Sequence, residues 1–114
     1  MSRHVTIAAA QYPLDEVASL AAWKTKVTRW VEEAVKAGGQ ILVFPEYGNM
    51  ELSAIGGRGR DLHGSIAAVS GYTGEIAAIT RELARKHGVM IVAGSAPCVI
   101  DDERFNIAQV AGPG

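Results

Sequence analysis

One long amphipathic stretch set between two short apolar runs constrains this chain more than any other feature. Leu20, Trp23, Val27, Trp30, Val31, Ala34 and Val35 recur at three- and four-residue spacing. Such spacing makes one apolar stripe along a helix, predicted from about Val17 or Ser19 to Ala37. Lys24, Lys26, Arg29, Glu32, Glu33 and Lys36 fall mostly on the other side. Before the helix, His4 to Gln11 reads as a strand, broken by Tyr12, Pro13 and Asp15. After it, Gly38 suits a left-handed cap, and Ile41 to Phe44 reads as a second, buried strand. Two strands joined by one helix form a βαβ unit, for which the expected geometry is parallel and right-handed.

The exit of the second strand is the first place to look for chemistry. Pro45 cannot donate another ladder hydrogen bond, and Glu46 follows it at the carboxyl end of the strand. Open α/β sheets hold their ligands at that end. Two readings of Glu46 stand on the residues alone. It is a functional carboxylate, or it caps a turn or pairs with Arg58 or Arg60.

Residues Tyr47 to Gly71 carry many glycines and little periodicity, so they read as a long connection, functional or mobile. Met50 to Ile55 could make a short helical turn within it. A second helix begins at Thr73, a candidate N-cap, with Ile76, Ile79 and Leu83 on one face. Glu75 suits its positive end, Arg85, Lys86 and His87 suit its negative end, and Gly88 stops it. Val89 to Gly94 reads as a third strand, Asp101 to Glu103 as an acidic turn, and Phe105 to Ala111 as a fourth strand. Gly112-Pro113-Gly114 is a turn signal of the kind that joins two elements, so the expectation is an interrupted domain.

Composition narrows the class. With 114 residues, 48% of them hydrophobic, the chain suits one small globular domain. A net charge of −1, from 11 basic and 12 acidic residues without long blocks, gives no electrostatic case for nucleic acid or an anionic membrane. The lone Cys98 rules out an internal disulfide and fits a reducing compartment, and no stretch approaches the ~20 apolar residues of a membrane span. The expectation is a cytoplasmic protein.

Other residues have bland readings. Cys98 reads as a small half-buried hydrophobe rather than a nucleophile, and Tyr47 either lines a pocket or packs beneath the loop. His63 has no partner at metal-ligand spacing, and His4 and His87 look structural. Asn106 is expected to fix the turn after Glu103, and Trp23 and Trp30 are core or interface residues. Gly56 to Gly59 lacks both the Lys-Ser/Thr of a phosphate loop and the dinucleotide spacing. No metal or cofactor is expected, and an unrelated nucleotide-binding α/β domain lacks its phosphate loop.

Taken in order, these elements resemble the N-terminal portion of the nitrilase, or carbon–nitrogen hydrolase, superfamily. The resemblance is carried by Ala10-Gln11, by Glu33 to Gly38, and by Ile41-Leu42-Val43-Phe44-Pro45-Glu46. Leu83 to Val89 leading into Ile91 to Ser95, and Phe105-Asn106-Ile107-Ala108, support it in order and spacing. The Tyr-Gly-Asn-Met-Glu-Leu stretch after Glu46 differs from the commonest amidase loops, so no substrate carries over.

The resemblance implies an α/β fold that is the N-terminal part of an αββα sandwich, with residues 1–114 as a single incomplete domain. It implies a Glu-Lys-Cys hydrolase of amides or nitriles, with Glu46 as general base, Tyr47 as a candidate substrate contact, and a homo-oligomer, commonly a dimer. The family's Lys and Cys follow the turn at which this sequence ends. Lys24, Lys26, Lys36, Lys86 and Cys98 do not match those motifs. The chain as written is therefore expected to show no hydrolysis. The alternative is a truncated, non-catalytic binding or oligomerisation module.

Overall fold

The structure, a computed structural model, describes residues 3–57 and 62–114. Three parallel strands, β1 (Ile7–Ala9), β2 (Ile41–Val43) and β3 (Met90–Val92), lie side by side. A short β6 (Val110–Ala111) adds to β3 in antiparallel sense, giving the order β1-β2-β3-β6. The βαβ expectation therefore holds as a parallel unit. Its strands are shorter than the apolar runs that predicted them.

Helix α1 (Leu20–Lys36) crosses from β1 to β2. The Ser19 hydroxyl accepts from the Ala22 amide at 3.0 Å and so caps its first turn. Trp23, Val27 and Val31, spaced four apart, are its buried face. At the far end Gly38 takes a left-handed φ of 93°, as its place after Ala37 suggested. Helix α3 (Thr73–His87) buries Ile76, Ile79 and Leu83 against the same core and ends at left-handed Gly88. Thr73 does not cap it. The Thr73 hydroxyl donates instead to the Ser70 carbonyl at 2.9 Å, and Tyr72 precedes the helix without a side-chain cap.

Register decides which sheet face the helices cover. Ala8, Leu42, Ile91 and Ala111 sit opposite one another across the strands and join the helical core. Each fully buried aliphatic there contributes about 1.5–3 kcal/mol. Strand alternation sends the flanking residues to the other face. There Ile7 is 62% exposed, Met90 39% and Val110 61%.

Two regions depart from expectation. The connection after Glu46 is not irregular: Gly48–Gly57 forms a 3-10 helix and Leu62–Ser70 forms helix α2. The single fourth strand at 105–111 is also wrong. Ala96–Ile100 (β4) and Glu103–Ile107 (β5) make an antiparallel hairpin of their own, and only Val110–Ala111 reaches the main sheet. Asp101 and Asp102, both at positive φ, form its two-residue turn, a geometry that matches the strand twist. Cys98 lies in the middle of β4.

Candidate active site

Glu46 leaves β2 on a turn whose position the main chain fixes. Phe44 donates to the Val92 carbonyl at 3.0 Å, the last contact that holds this exit to β3. The Gly48 amide then reaches back to the Pro45 carbonyl at 3.0 Å, closing a turn with Glu46 and Tyr47 at its centre. Tyr47 adopts φ 56°, which costs a non-glycine residue of order 1–3 kcal/mol. Its amide donates to the Ser95 hydroxyl at 2.7 Å. Asn49 adds a side-chain bond to the Gly94 carbonyl at 2.5 Å.

Beneath this turn two glycines meet backbone to backbone. A Cβ built on Gly94 would stand 2.8 Å from the Gly48 Cα, and one on Gly48 would stand 3.2 Å from the Gly94 Cα. The link from β3 to β4 is thus the seat on which the Glu46 turn rests.

The Glu46 side chain is exposed, and its Oε1 accepts from Asn106 Nδ2 at 3.2 Å. Asn106 was expected to fix the turn after Glu103. Its position on β5, opposite Pro97, carries it instead to a carboxylate sixty residues earlier. Arg58 and Arg60, weighed as partners of Glu46, lie outside the described residues, as does the side chain of His63. Tyr47 is 46% exposed and lines a cleft of about 520 Å³ with Met50, Ile66, Pro97, Arg104, Phe105 and Asn106. Asn106 therefore both lines the cleft and touches Glu46.

A second carboxylate was missed. Glu51, in the 3-10 helix, has a fully buried side chain. It accepts from the Tyr12 hydroxyl and from the Asp15 amide at 3.1 Å, and pairs with Lys26 at 2.6 Å. Lys26 also reaches Asp15 at 2.8 Å and lies 4.1 Å from the centre of the Tyr12 ring. Its side chain is only 15% exposed, which corrects its placement on the helix surface. Burial, and then the adjoining Glu51 carboxylate, push the Tyr12 phenol far above the usual tyrosine range, so it stays a donor. The visible signal was thin: a tyrosine after β1 and a glutamate in an apolar stretch, 39 residues apart.

Cys98 is half-buried, with its sulfur 3.7 Å from the Thr73 hydroxyl. This supports the packing reading. Trp23 is buried in the core, and Trp30 packs edge-on to Tyr12 with ring centres 5.3 Å apart. Among the described residues no group of three or more His, Cys, Asp or Glu side chains could hold a metal ion. No helix among them is long and apolar enough to cross a membrane.

A parallel sheet with helical crossovers is consistent with the α/β fold that the sequence resemblance implied. The family model for carbon-nitrogen hydrolases matches residues 6–110. The chain belongs to the carbon–nitrogen hydrolase family. The match spans both crossovers, the 3-10 helix and the β4–β5 hairpin, so every described strand lies within it or at its edge. No curated protein sequence matches the chain significantly. The α/β fold of this family thus carries Glu46, while the Glu51 cluster braces the segment that follows it.

Proposed function

We propose that this carbon–nitrogen hydrolase domain supplies the general base for cleavage of non-peptide C–N bonds in a small amide or nitrile, and that Glu46 is that base. One observation carries the reading: the Glu46 carboxylate is presented on a main-chain seat, touched by Asn106 at 3.2 Å, beside a cleft of about 520 Å³. A cleft of that size suits a small organic ligand.

In the chemistry proposed, Glu46 takes the proton of a cysteine thiol, and the thiolate attacks the amide or nitrile carbon. A lysine ammonium stabilises the negative charge that develops. With an amide, Glu46 returns the proton to the leaving ammonia or amine; a nitrile first gives a thioimidate, which takes up one water before ammonia leaves. Water then attacks the thioester with Glu46 again as base. A thiol with an ordinary pKa near ~8.5 needs such a base at neutral pH.

The partner lysine and cysteine find no match among the residues present. Lys24 pairs with Glu82 at 3.4 Å, Lys26 with Glu51 and Asp15, and Cys98 packs in β4. The coding sequence after Gly114 tests the point: a lysine motif followed by a cysteine at a strand end supports hydrolysis. Ammonia release across nitriles and amides, lost in Glu46→Gln with the fold intact, is then the expected result. Undiminished turnover by Glu46→Gln would sink the base assignment. The 114-residue chain by itself is expected to give no hydrolysis above background, and a thioester trapped on Cys98 would overturn that.

A second reading, a non-catalytic binding or assembly module, is favoured by the exposed apolar face of Ile7, Met90 and Val110. A genuine stop codon after Gly114, together with a stable homo-oligomer in sedimentation, would support it. On the hydrolase reading, that face is where the second sheet of an αββα sandwich would pack.

A further inference from the structure

The cleft beside Glu46 holds one feature that base catalysis does not use. Its walls are largely apolar, formed by Tyr47, Met50, Ile66, Pro97 and Phe105, yet Arg104 also lines it. Among the described residues Arg104 enters no ion pair and no side-chain hydrogen bond. Glu103, the nearest acidic residue in sequence, does not line the cleft and forms no ion pair with Arg104. A guanidinium left without a carboxylate at the edge of an apolar cleft is a ready acceptor for one, through two parallel N–H bonds.

Spacing adds a constraint. Arg104 and Asn106 are alternate residues of β5 and share one side of it, opposite Val99 and Pro97. Alternate residues on a strand stand about 7 Å apart. Asn106 marks the Glu46 end of the cleft, and Arg104 marks a point one such step away.

We infer that the cleft takes a small amide or nitrile whose far end carries a carboxylate, held by Arg104, with an apolar chain between the two groups. The C–N group then lies toward Asn106 and Glu46, and Tyr47 and Phe105 cover the chain. The inference rests on the proposed hydrolase reading for the end that reacts. The carboxylate contact is a matter of binding alone and can be measured without turnover.

The experiment is direct binding to the 114-residue chain by calorimetry or NMR titration. The probes are monoamides of straight-chain dicarboxylic acids of roughly four to six carbons, a length set by the strand spacing. The uncharged amides of equal length are the comparison. The carboxylate probes are expected to bind more tightly than the neutral ones. Arg104→Gln is expected to weaken them about tenfold, the equivalent of one lost charge-assisted hydrogen bond, while leaving neutral amides and the thermal midpoint unchanged. Glu46→Gln is expected to keep the carboxylate preference. Equal binding of charged and neutral probes, no detectable binding of either, or an unaltered preference in Arg104→Gln overturns the inference. If the preference and its loss in Arg104→Gln are seen but Glu46→Gln leaves turnover undiminished in a longer chain that carries the lysine and cysteine, only the base assignment fails.

Discussion

Glu46 and Glu51 lie five residues apart in one segment and live in opposite surroundings. Glu46 is exposed, has one neutral partner, and sits on a turn held by its own main chain. Glu51 is sealed from solvent and holds Tyr12, Asp15 and Lys26 together. The difference separates two uses of a carboxylate. A buried one with every oxygen occupied fixes structure, because leaving its partners unpaired is costly. An exposed one touched by a single amide leaves its other oxygen to solvent and contributes little to the fold. The first ties the 3-10 helix to α1 and to the end of β1, and the second touches Asn106, a residue of the cleft.

The largest effect that would break this contrast falls on the buried member. Glu51→Ala leaves Lys26 with only the exposed Asp15 carboxylate, strips the Tyr12 hydroxyl and Asp15 amide of their acceptor, and is expected to cost about 3–5 kcal/mol in chemical denaturation. A loss below 1 kcal/mol would mean that the cluster does not anchor the segment.

Tyr12→Phe is a gentler probe of the same knot. It removes a hydrogen bond to a charged group and should cost about 1.5–3 kcal/mol. It also carries a pH signature. The folded phenol resists ionisation, so its stabilising share is complete below the unfolded tyrosine value near ~10 and is lost as pH rises above it. Stability of the native sequence should therefore fall above that pH by up to about 1.4 kcal/mol per unit from this group, and Tyr12→Phe should flatten the fall. Denaturation midpoints measured at intervals on the alkaline side check the sign.

Gly94→Ala tests the other carboxylate through its seat. The added carbon would meet the Gly48 backbone at 2.8 Å, so the turn must move, at about 1–3 kcal/mol. Amide chemical shifts of residues 45–49 should change most, with those around Glu51 changing less.

The smallest effect belongs to Glu46 itself. Glu46→Gln keeps an acceptor for Asn106 and should shift stability by no more than about 0.5 kcal/mol. A loss comparable to that of Glu51→Ala would place Glu46 among the structural residues.

What the sequence disclosed follows the reach of each signal. The βαβ unit was legible because Trp23, Val27 and Val31 write their burial in a helical period, and Ile41 to Val43 in an apolar run. Residues 48–57 and 62–70 were not, since their small residues carry little helical periodicity. The hairpin was hidden by Pro97, which argues against a strand except at an edge, where β4 in fact lies. Glu46 stood out because proline marks its strand exit. Its neighbour Asn106, and the bond from Tyr12 to Glu51, depend on pairings between distant segments that no local pattern records. Lys26 misled for a related reason: its helical position looked solvated, but the Tyr12 ring and two carboxylates close over it.

The backbone contact of Gly48 with Gly94 separates address from identity. Where the Glu46 corner stands depends closely on two residues that have no side chains, while the cleft beside it is shaped by side chains such as Tyr47 and Met50. Exchanging Tyr47 for another residue that tolerates its φ should re-cut the cleft without moving Glu46. One carbon added at Gly94 should move Glu46 and Tyr47 together.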